Sequence, residues 1–355
     1  MKNIVWIVYD GIDHSVFGGQ VVAPAVARCQ QDPLLTITII SFEKKQPAAQ
    51  LIETYAAMHP RVSIVIMRKL PFFGRLSLIP ALYQLRNFLK NFKRHEITAR
   101  GPLAGWLALK VCDAKKTSTI IVQARGLLAE EYWYRYAKER NPFNRLFHIS
   151  RHNALESIER EVYSAHVAIE AVTCAMKEYL IKMFNAHGNC ITLAQEDIPL
   201  RIAPAQVAAW KQEIRQKLSI EQHAQVYCYV GAVKAWQKPD MVIEYFQAQL
   251  KKDPQAILLL LTQDSELFTK KLIEHKVPLS HTRILSVPHH AIYQYLSAAN
   301  TGMIFRDEHI LSFVSRPVKA MEYQSVGLEI VHNGTVDWLN YQIPPLHEDE
   351  CQADQ

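Results

Sequence analysis

The chain contains no apolar run approaching the ~18 residues that a bilayer-spanning helix needs, so no transmembrane segment is expected. Its first residues, MKNIVWIVYDG, hold only a short apolar run that leads into Asp10, which is not the pattern of a secretory leader. The six cysteines are scattered, with no C-x-x-C pair and no His/Cys cluster. That spacing supports neither a disulfide framework nor structural zinc and fits a reducing, cytoplasmic location. No repeat recurs at a fixed period, which removes solenoids and propellers. There is no arginine-glycine repeat, RNP-like strand or dense Lys/Arg patch, so the net charge of +6 does not imply nucleic acid.

One absence is local. No acidic residue occurs between Glu53 and Glu96, while Arg68, Lys69, Arg75, Arg86, Lys90, Lys93 and Arg94 fall in that stretch. From Leu78 to Lys93 the spacing is helical, with Leu78, Leu82, Leu85, Leu89 and Phe92 on one face and the cations mostly off it. Beside it lies an aromatic loop, Pro71-Phe72-Phe73-Gly74. Two readings stand: a basic amphipathic surface over residues 68–94 for an anionic membrane, peripheral at its inner face, or a core-packed helix with a solvated basic edge.

What is present is a regular alternation. Apolar strands at Asn3–Tyr9, Leu35–Phe42, Val62–Met67, Glu96–Arg100 and Ser118–Gln123 are separated by helical patterns, and the same order resumes after 204. This is the signature of parallel, doubly wound α/β sheets. With 355 residues, two domains are expected. The loop Ala194–Pro204, with Gln195, Glu196, Asp197 and two prolines, is the candidate linker. The expected division is residues 1–198 and 199–355, two Rossmann-like domains facing each other across a cleft.

Polar residues collect at the predicted carboxyl ends of strands, where open α/β sheets bind ligands. Gly18-Gly19 lies between the first strand and helix, either as a simple turn or as a close approach of backbone to an anion. Arg100-Gly101 and Arg125-Gly126 each follow a strand, the second with Glu130-Glu131 just after it. They form either a polar site wall or an internal ion pair. Lys234-Ala235-Trp236-Gln237-Lys238 follows a strand and Gly231, where lysines can hold a diphosphate and Trp236 can stack or pack.

The densest stretch is FRDEHILSFVSRPVKAMEYQSVGLEIV, Phe305–Val331. It orders a strand end, Arg306, a polar loop, Ser315-x-Pro317, a helix with Lys319 and Glu322, a glycine and a new strand. Ser315-x-Pro317 is read as the turn and N-terminal cap of that helix. Lys319 and Glu322 are either an exposed helical ion pair or a phosphate-binding cation and a carboxylate for ribose hydroxyls.

Together these stretches resemble the retaining glycosyltransferases of family 4, which have the GT-B fold. The likeness is densest in ARGLLAEE (Ala124–Glu131), in YVGAVKAWQKPDMVIEYF (Tyr229–Phe246) and in the Ser-Pro-x-Lys-x-x-Glu-Tyr variant of the donor motif carried by Phe305–Val331. The resemblance implies a hexosyltransferase that moves a sugar from a nucleotide-sugar to a saccharide or lipid-linked acceptor with retention, in cell-surface glycan biosynthesis. It implies that Glu322 holds the donor ribose, that Lys238 or Lys234 meets the diphosphate, and that Arg306, Lys319 and Ser315 line the same pocket. Gly18 and Gly19, with Arg100 and Arg125, would form the first-domain side. No cofactor and no metal are expected, and no protein nucleophile is assigned. The chain departs from the family at Val314, where a second glutamate is common, at a first-domain histidine that is not evident, and after Val331, where only Asn333–Gln355 remain, so that either the closing helices are abbreviated or the sequence is that of a truncated member. These departures motivate an alternative, a catalytically inactive GT-B protein serving as a binding partner or scaffold. A GT-B epimerase needs grouped carboxylates and a histidine, a set the sequence does not assemble.

Overall fold

The computed structural model describes residues 2–14, 17–90, 96–112, 119–194, 201–288 and 291–341. They fall into two compact units, one within Met1–Asp197 and the other within Ile198–Leu346. Most of the candidate linker, residues 195–200, lies outside the described residues.

The first unit runs β1 (Lys2–Val8), a π-helical turn (Gly18–Val22) leading into α1 (Ala23–Gln31), β2 (Leu35–Glu43), α2 (Ala49–Ala56), β3 (Val62–Arg68), α3 (Ile79–Leu89), β4 (Glu96–Arg100) and α4 (Gly101–Val111). It continues with β5 (Thr119–Ala124), α5 (Leu128–Tyr136), α6 (Pro142–Tyr163), β6 (Ala168–Ala171), α7 (Cys174–Phe184) and β7 (Ile191–Leu193). The seven strands pair in the order β3-β2-β1-β4-β5-β6-β7. All pairings are parallel, with Ile7 opposite both Ile40 and Ala99.

The second unit runs α8 (Pro204–Lys217), β8 (Val226–Val230), α9 (Pro239–Lys252), β9 (Ile257–Leu261), α10 (Ser265–Glu274), β10 (Thr282–Leu285), α11 (Ile292–Leu296), β11 (Thr301–Ile304), α12 (Ile310–Phe313), α13 (Val318–Ser325), β12 (Glu329–His332) and α14 (Asp337–Asn340). Its five parallel strands are ordered β10-β9-β8-β11-β12.

Helices on both faces require strands that are apolar on both faces. Ile4–Val8 and the run ILLLL of β9 are accordingly buried throughout. In the second unit one core gathers Val226, Cys228, Leu259 and Tyr323, and the other gathers Tyr229, Leu258, Leu260 and Phe246. Alternate residues of the same strands thus fill opposite cores. The short helix α12 lies within the polar loop expected after Arg306. The long helix α6 starts at Pro142 because Asn141 caps it by accepting from the Phe143 and Asn144 amides at 3.0 and 3.2 Å.

The basic helix resolves in favour of packing for its main stripe. Leu78, Leu85 and Leu89 are buried and Leu82 is half-buried, with α3 packed on β3 and α4. Phe92, Lys93 and Arg94 lie outside the described residues. Among the described residues no helix is long and apolar enough to cross a membrane.

Candidate functional site

In each unit the strand order reverses once, between β1 and β4 and between β8 and β11. Connections leave to opposite sides there, which opens a crevice at the carboxyl ends of the strands. In the second unit the segments at that point are Gly231–Lys238 after β8 and Phe305–Arg306 after β11, with α13 beside them.

Helix α13 is fixed by a close approach. A Cβ on Gly302 of β11 would stand 2.3–2.6 Å from the ring of Tyr323, so glycine there lets the ring lie against the strand. The Tyr323 hydroxyl accepts from the Val230 amide at 3.0 Å, tying the helix to the end of β8. Gly327, at φ +74°, terminates the helix. Its amide donates to Gln324 O at 3.1 Å and the Leu328 amide donates to Tyr323 O at 3.0 Å, the paired bonds of a Schellman ending. Between these anchors Glu322 is 6% exposed, so it is not half of a solvated surface pair.

The cap expected from Ser315 is not made. Pro317 is the N-cap of α13 and no side chain caps it. Ser315 instead donates its hydroxyl to Ser312 O at 2.8 Å, closing the turn after α12. With Pro317 at the N-cap, Ser315 stands two positions too early to reach the first free amides. At the site of the family's second glutamate, Val314 is buried.

Several polar groups converge on Gly231. This residue has φ +145°, and a Cβ there would lie 2.6 Å from Gln237 Oε1, 2.9 Å from Lys319 Nζ and 3.0 Å from the Tyr229 hydroxyl. Lys319 donates to Gln237 Oε1 at 3.2 Å and stands 4.4 Å from the centre of the Tyr229 ring. The Tyr229 hydroxyl donates to the same Gln237 oxygen at 2.5 Å. Desolvation drives the Lys319 pKa well below its ordinary value; the Arg306 charge adds to this, Lys234 contributes a little, and Glu322 opposes it. Burial also lowers the Arg306 pKa. The Arg306 backbone is clasped by Asn333, which accepts from its amide at 3.2 Å and donates to its carbonyl at 2.7 Å. Its Nε is buried with no hydrogen-bond partner among the described residues. Next to this clasp is a cavity of ≈ 610 Å³ lined by Glu308, His309, Ile310, Phe313, Asn333 and Thr335.

The two loop lysines differ. Lys238, in the left-handed region at φ 45°, pairs with Asp307 at 2.6 Å and links the loops after β8 and β11. Lys234 lies 5.0 Å from the ring centre of Trp236 and its charge is felt by Lys319. Arg306, Lys319, Lys234 and Glu322 are therefore brought together; Lys238 supports the frame, and Ser315 serves a turn.

In the first unit Gly18 and Gly19 are not a loop but part of the π-helical turn. A Cβ on Gly18 would stand 3.1 Å from the Tyr55 hydroxyl, so its smallness serves packing. Arg100 ends β4, is 8% exposed, and donates to the carbonyl and side-chain oxygens of Gln20 in that turn. Arg125 is half-buried between β5 and α5. The start of α5 is held by Glu159, whose carboxylate accepts from the Leu128 and Ala129 amides at 2.6 and 3.2 Å. Burial pushes the Glu159 pKa up to about 8 in spite of those two bonds.

The sequence reading missed the contacts that Glu43, at the end of β2, and Lys69, just after β3, make with the segment after β1. Glu43 is buried and accepts from the Ile12 amide at 2.7 Å and from the Ser41 hydroxyl at 2.6 Å. A Cβ on Gly11, at φ +105°, would meet its carboxylate at 2.8 Å. Lys69 donates to Tyr9 O. The available signal was Gly11 directly after β1, a backbone turn that glycine permits. Among the described residues no group of three or more His, Cys, Asp or Glu is arranged to hold a metal ion.

No family model matches the chain, and no curated protein matches it. Solved structures do. HepE from Anabaena, in complex with UDP and glucose, is 12% identical with a TM-score of 0.62 over 96% of this chain and 83% of its own. A sucrose-phosphate synthase from Thermosynechococcus elongatus is 14% identical with a TM-score of 0.66 over 94% of this chain and 81% of its own. WaaG, a glycosyltransferase involved in lipopolysaccharide biosynthesis, is 13% identical with a TM-score of 0.62 over 95% of this chain and 83% of its own. At such identities the likeness is one of fold. The chain has two Rossmann-like α/β units of the GT-B type, as these glycosyltransferases do.

Proposed function

We propose that this protein is a glycosyltransferase that moves a sugar from a nucleotide-sugar donor to a saccharide or lipid-linked acceptor. The observation that carries the reading is the second unit's switch point, where the Lys319 ammonium lies against Gly231 and feels the charges of Arg306, Lys234 and the buried Glu322. Such a site suits a donor whose ribose offers two hydroxyls and whose diphosphate carries the charge. A carboxylate accepts from both hydroxyls. Cations fixed before the reaction begins stabilise the charge that builds on the departing diphosphate. In this reading Glu322 takes the ribose and Lys319, Arg306 and Lys234 take the diphosphate. Lys238 holds the loop, and Gly231 leaves room for the phosphates. The cavity next to Arg306 would admit the sugar.

The fold shared with HepE, solved with UDP and glucose, supports a nucleotide-sugar ligand. Retention at the anomeric carbon, hexosyl transfer, membership of family 4 and a role in cell-surface glycan assembly at the inner membrane face rest on the motif resemblance and are part of the proposal. So are the first-unit roles of Gly18, Gly19, Arg100 and Arg125, and the working of the site without a metal.

Thermal-shift measurement against UDP-, GDP- and ADP-sugars tests the donor site, because a ligand of the native state raises the melting temperature by mass action. One class should stabilise the wild type. Glu322→Ala should remove that shift, and Glu322→Gln, which fills the same volume but accepts through one oxygen, should retain part of it. A wild type stabilised by none of the three, or an undiminished shift in Glu322→Ala, overturns the assignment.

A further inference from the structure

The start of α6 projects into solvent as far as His148, which stacks on Tyr136 and shares a hydrogen bond with Tyr132. Every residue from Pro142 to Phe147 is exposed, and three of them are large and apolar: Phe143 at 83%, Leu146 at 67% and Phe147 at 51% exposure. Burying one such side chain is normally worth a good part of what folding gains from it, so a cluster left in water calls for a partner. The helix end is well formed rather than frayed, since Asn141 caps it.

A second apolar group is tied to the same helix. Arg151, two turns beyond Phe143 and on its side of α6, places its guanidinium 5.7 Å from the ring centre of Phe72. Arg75 reaches the Ser157 hydroxyl at 2.9 Å and Glu161 at 2.8 Å. These contacts seat the loop before α3 on α6, about 12 Å along the helix from Phe143 at Arg151 and about 21–27 Å along it at Ser157 and Glu161. That loop and the start of α3 expose Phe73, Leu76 and Ile79 at 58%, 74% and 54%.

The two segments share a charge pattern. No acidic residue occurs between Glu53 and Glu96, nor between Glu139 and Glu156. Arg68, Arg86, Arg140 and Arg145 are exposed in these intervals. The fold thus joins two acid-free, apolar and cationic segments that are distant in sequence.

We infer that Phe143, Leu146 and Phe147 of α6, with Phe73, Leu76 and Ile79, form one docking face for an anionic lipid surface. Apolar side chains on projecting ends enter the boundary between headgroups and acyl chains, while cations beside them meet lipid phosphates. Charge argues against a second copy of this chain, which would bring the same positive face against itself. The buried leucine stripe of α3 takes no part. The inference rests on the membrane-side acceptor of the proposed function and not on the donor pocket.

Sedimentation with vesicles tests it. The wild type should partition onto vesicles containing phosphatidylglycerol and much less onto phosphatidylcholine alone. The triple variant F143S/L146S/F147S should lower partitioning about tenfold or more, with an unchanged melting temperature because all three positions are exposed. F73S/L76S should act in the same direction, and R140E/R145E should reduce binding to the anionic vesicles alone. Failure of the wild type to partition, equal partitioning by the triple variant, or loss of self-association with unchanged vesicle binding would each overturn the inference. The sugar-nucleotide thermal shift, read on every variant, reports on the donor site separately.

Discussion

The ammonium of Lys319, on α13, stands 3.2 Å from the side-chain oxygen of Gln237, on the loop after β8. The contact joins the two segments that flank the reversal in strand order, and Gly231 is where they meet. Its backbone, at φ +145°, and the small space above it are both conditions that alanine breaks, since a Cβ would lie 2.6 Å from Gln237 Oε1 and 2.9 Å from Lys319 Nζ. Gly231→Ala should destabilise the second unit by roughly 1–3 kcal/mol and weaken sugar-nucleotide binding about tenfold or more, as read by calorimetry. Gly74→Ala separates the two causes. That position has φ +126° with nothing within 4 Å of a Cβ, so it carries the backbone strain without the crowding and should leave binding unchanged.

Lys319 also links donor binding to protons. Desolvation and the Arg306 charge hold its pKa well below the ordinary lysine value of 10.5. Between the lowered folded value and the unfolded one, the unfolded chain binds more protons, so stability rises with pH across that window. A diphosphate beside the ammonium favours its charged form. Binding should therefore take up a proton above the lowered pKa, and affinity should fall as pH rises through it. Calorimetry in buffers of different ionisation enthalpy reads the uptake directly, and Lys319→Arg, which stays charged, should abolish it. A binding enthalpy that is the same in all buffers across that range would show that Lys319 does not meet the diphosphate.

The sequence exposed the candidate site because its parts are local. Arg306, Lys319 and Glu322 fall on one strand-loop-helix unit, so the order of elements placed them together without knowledge of the sheet. Three things were hidden for a common reason: they depend on which strand lies beside which. Gln237 joins Lys319 only because β8 neighbours β11. Gly302 reads as an ordinary strand residue until Tyr323 is seen lying on it. Glu43, at the end of an apolar strand, gains its role from Gly11, in the segment after the neighbouring strand β1. Helical periodicity found the α3 stripe but assigned no surface to it, because a stripe facing the core and one facing lipid have the same spacing. Gly18-Gly19 read as a simple turn or as a close approach of backbone to an anion; both residues lie in a π-helical turn, with Gly18 against Tyr55.

Arg215 is the clearest case of a residue with no sequence signal. It lies on the polar helix α8, yet it is 1% exposed. Nε donates to Ala298 O at 2.9 Å; Nη1 donates to Glu221 O, Gln222 O and Ala224 O at 3.2, 2.7 and 3.0 Å; Nη2 donates to Asn300 Oδ1 at 2.8 Å. Asn300 Oδ1 in turn accepts from the Val226 amide at the start of β8. One guanidinium therefore satisfies the loop before β8 and the turn before β11, the two strands that carry the candidate site. Methionine has a comparable stem but would leave those carbonyls buried without donors, at a cost of roughly 3–5 kcal/mol. For a unit of this size that lowers its melting temperature by about 6–15 °C. Arg215→Lys keeps the charge but lacks the fork that reaches both segments, so it should fall between the two. The exposed Arg201→Met serves as the control and should melt like the wild type. Equal melting of Arg215→Met and the wild type would mean that the two strands are held in register by their own ladder and cores, with the arginine as a passenger.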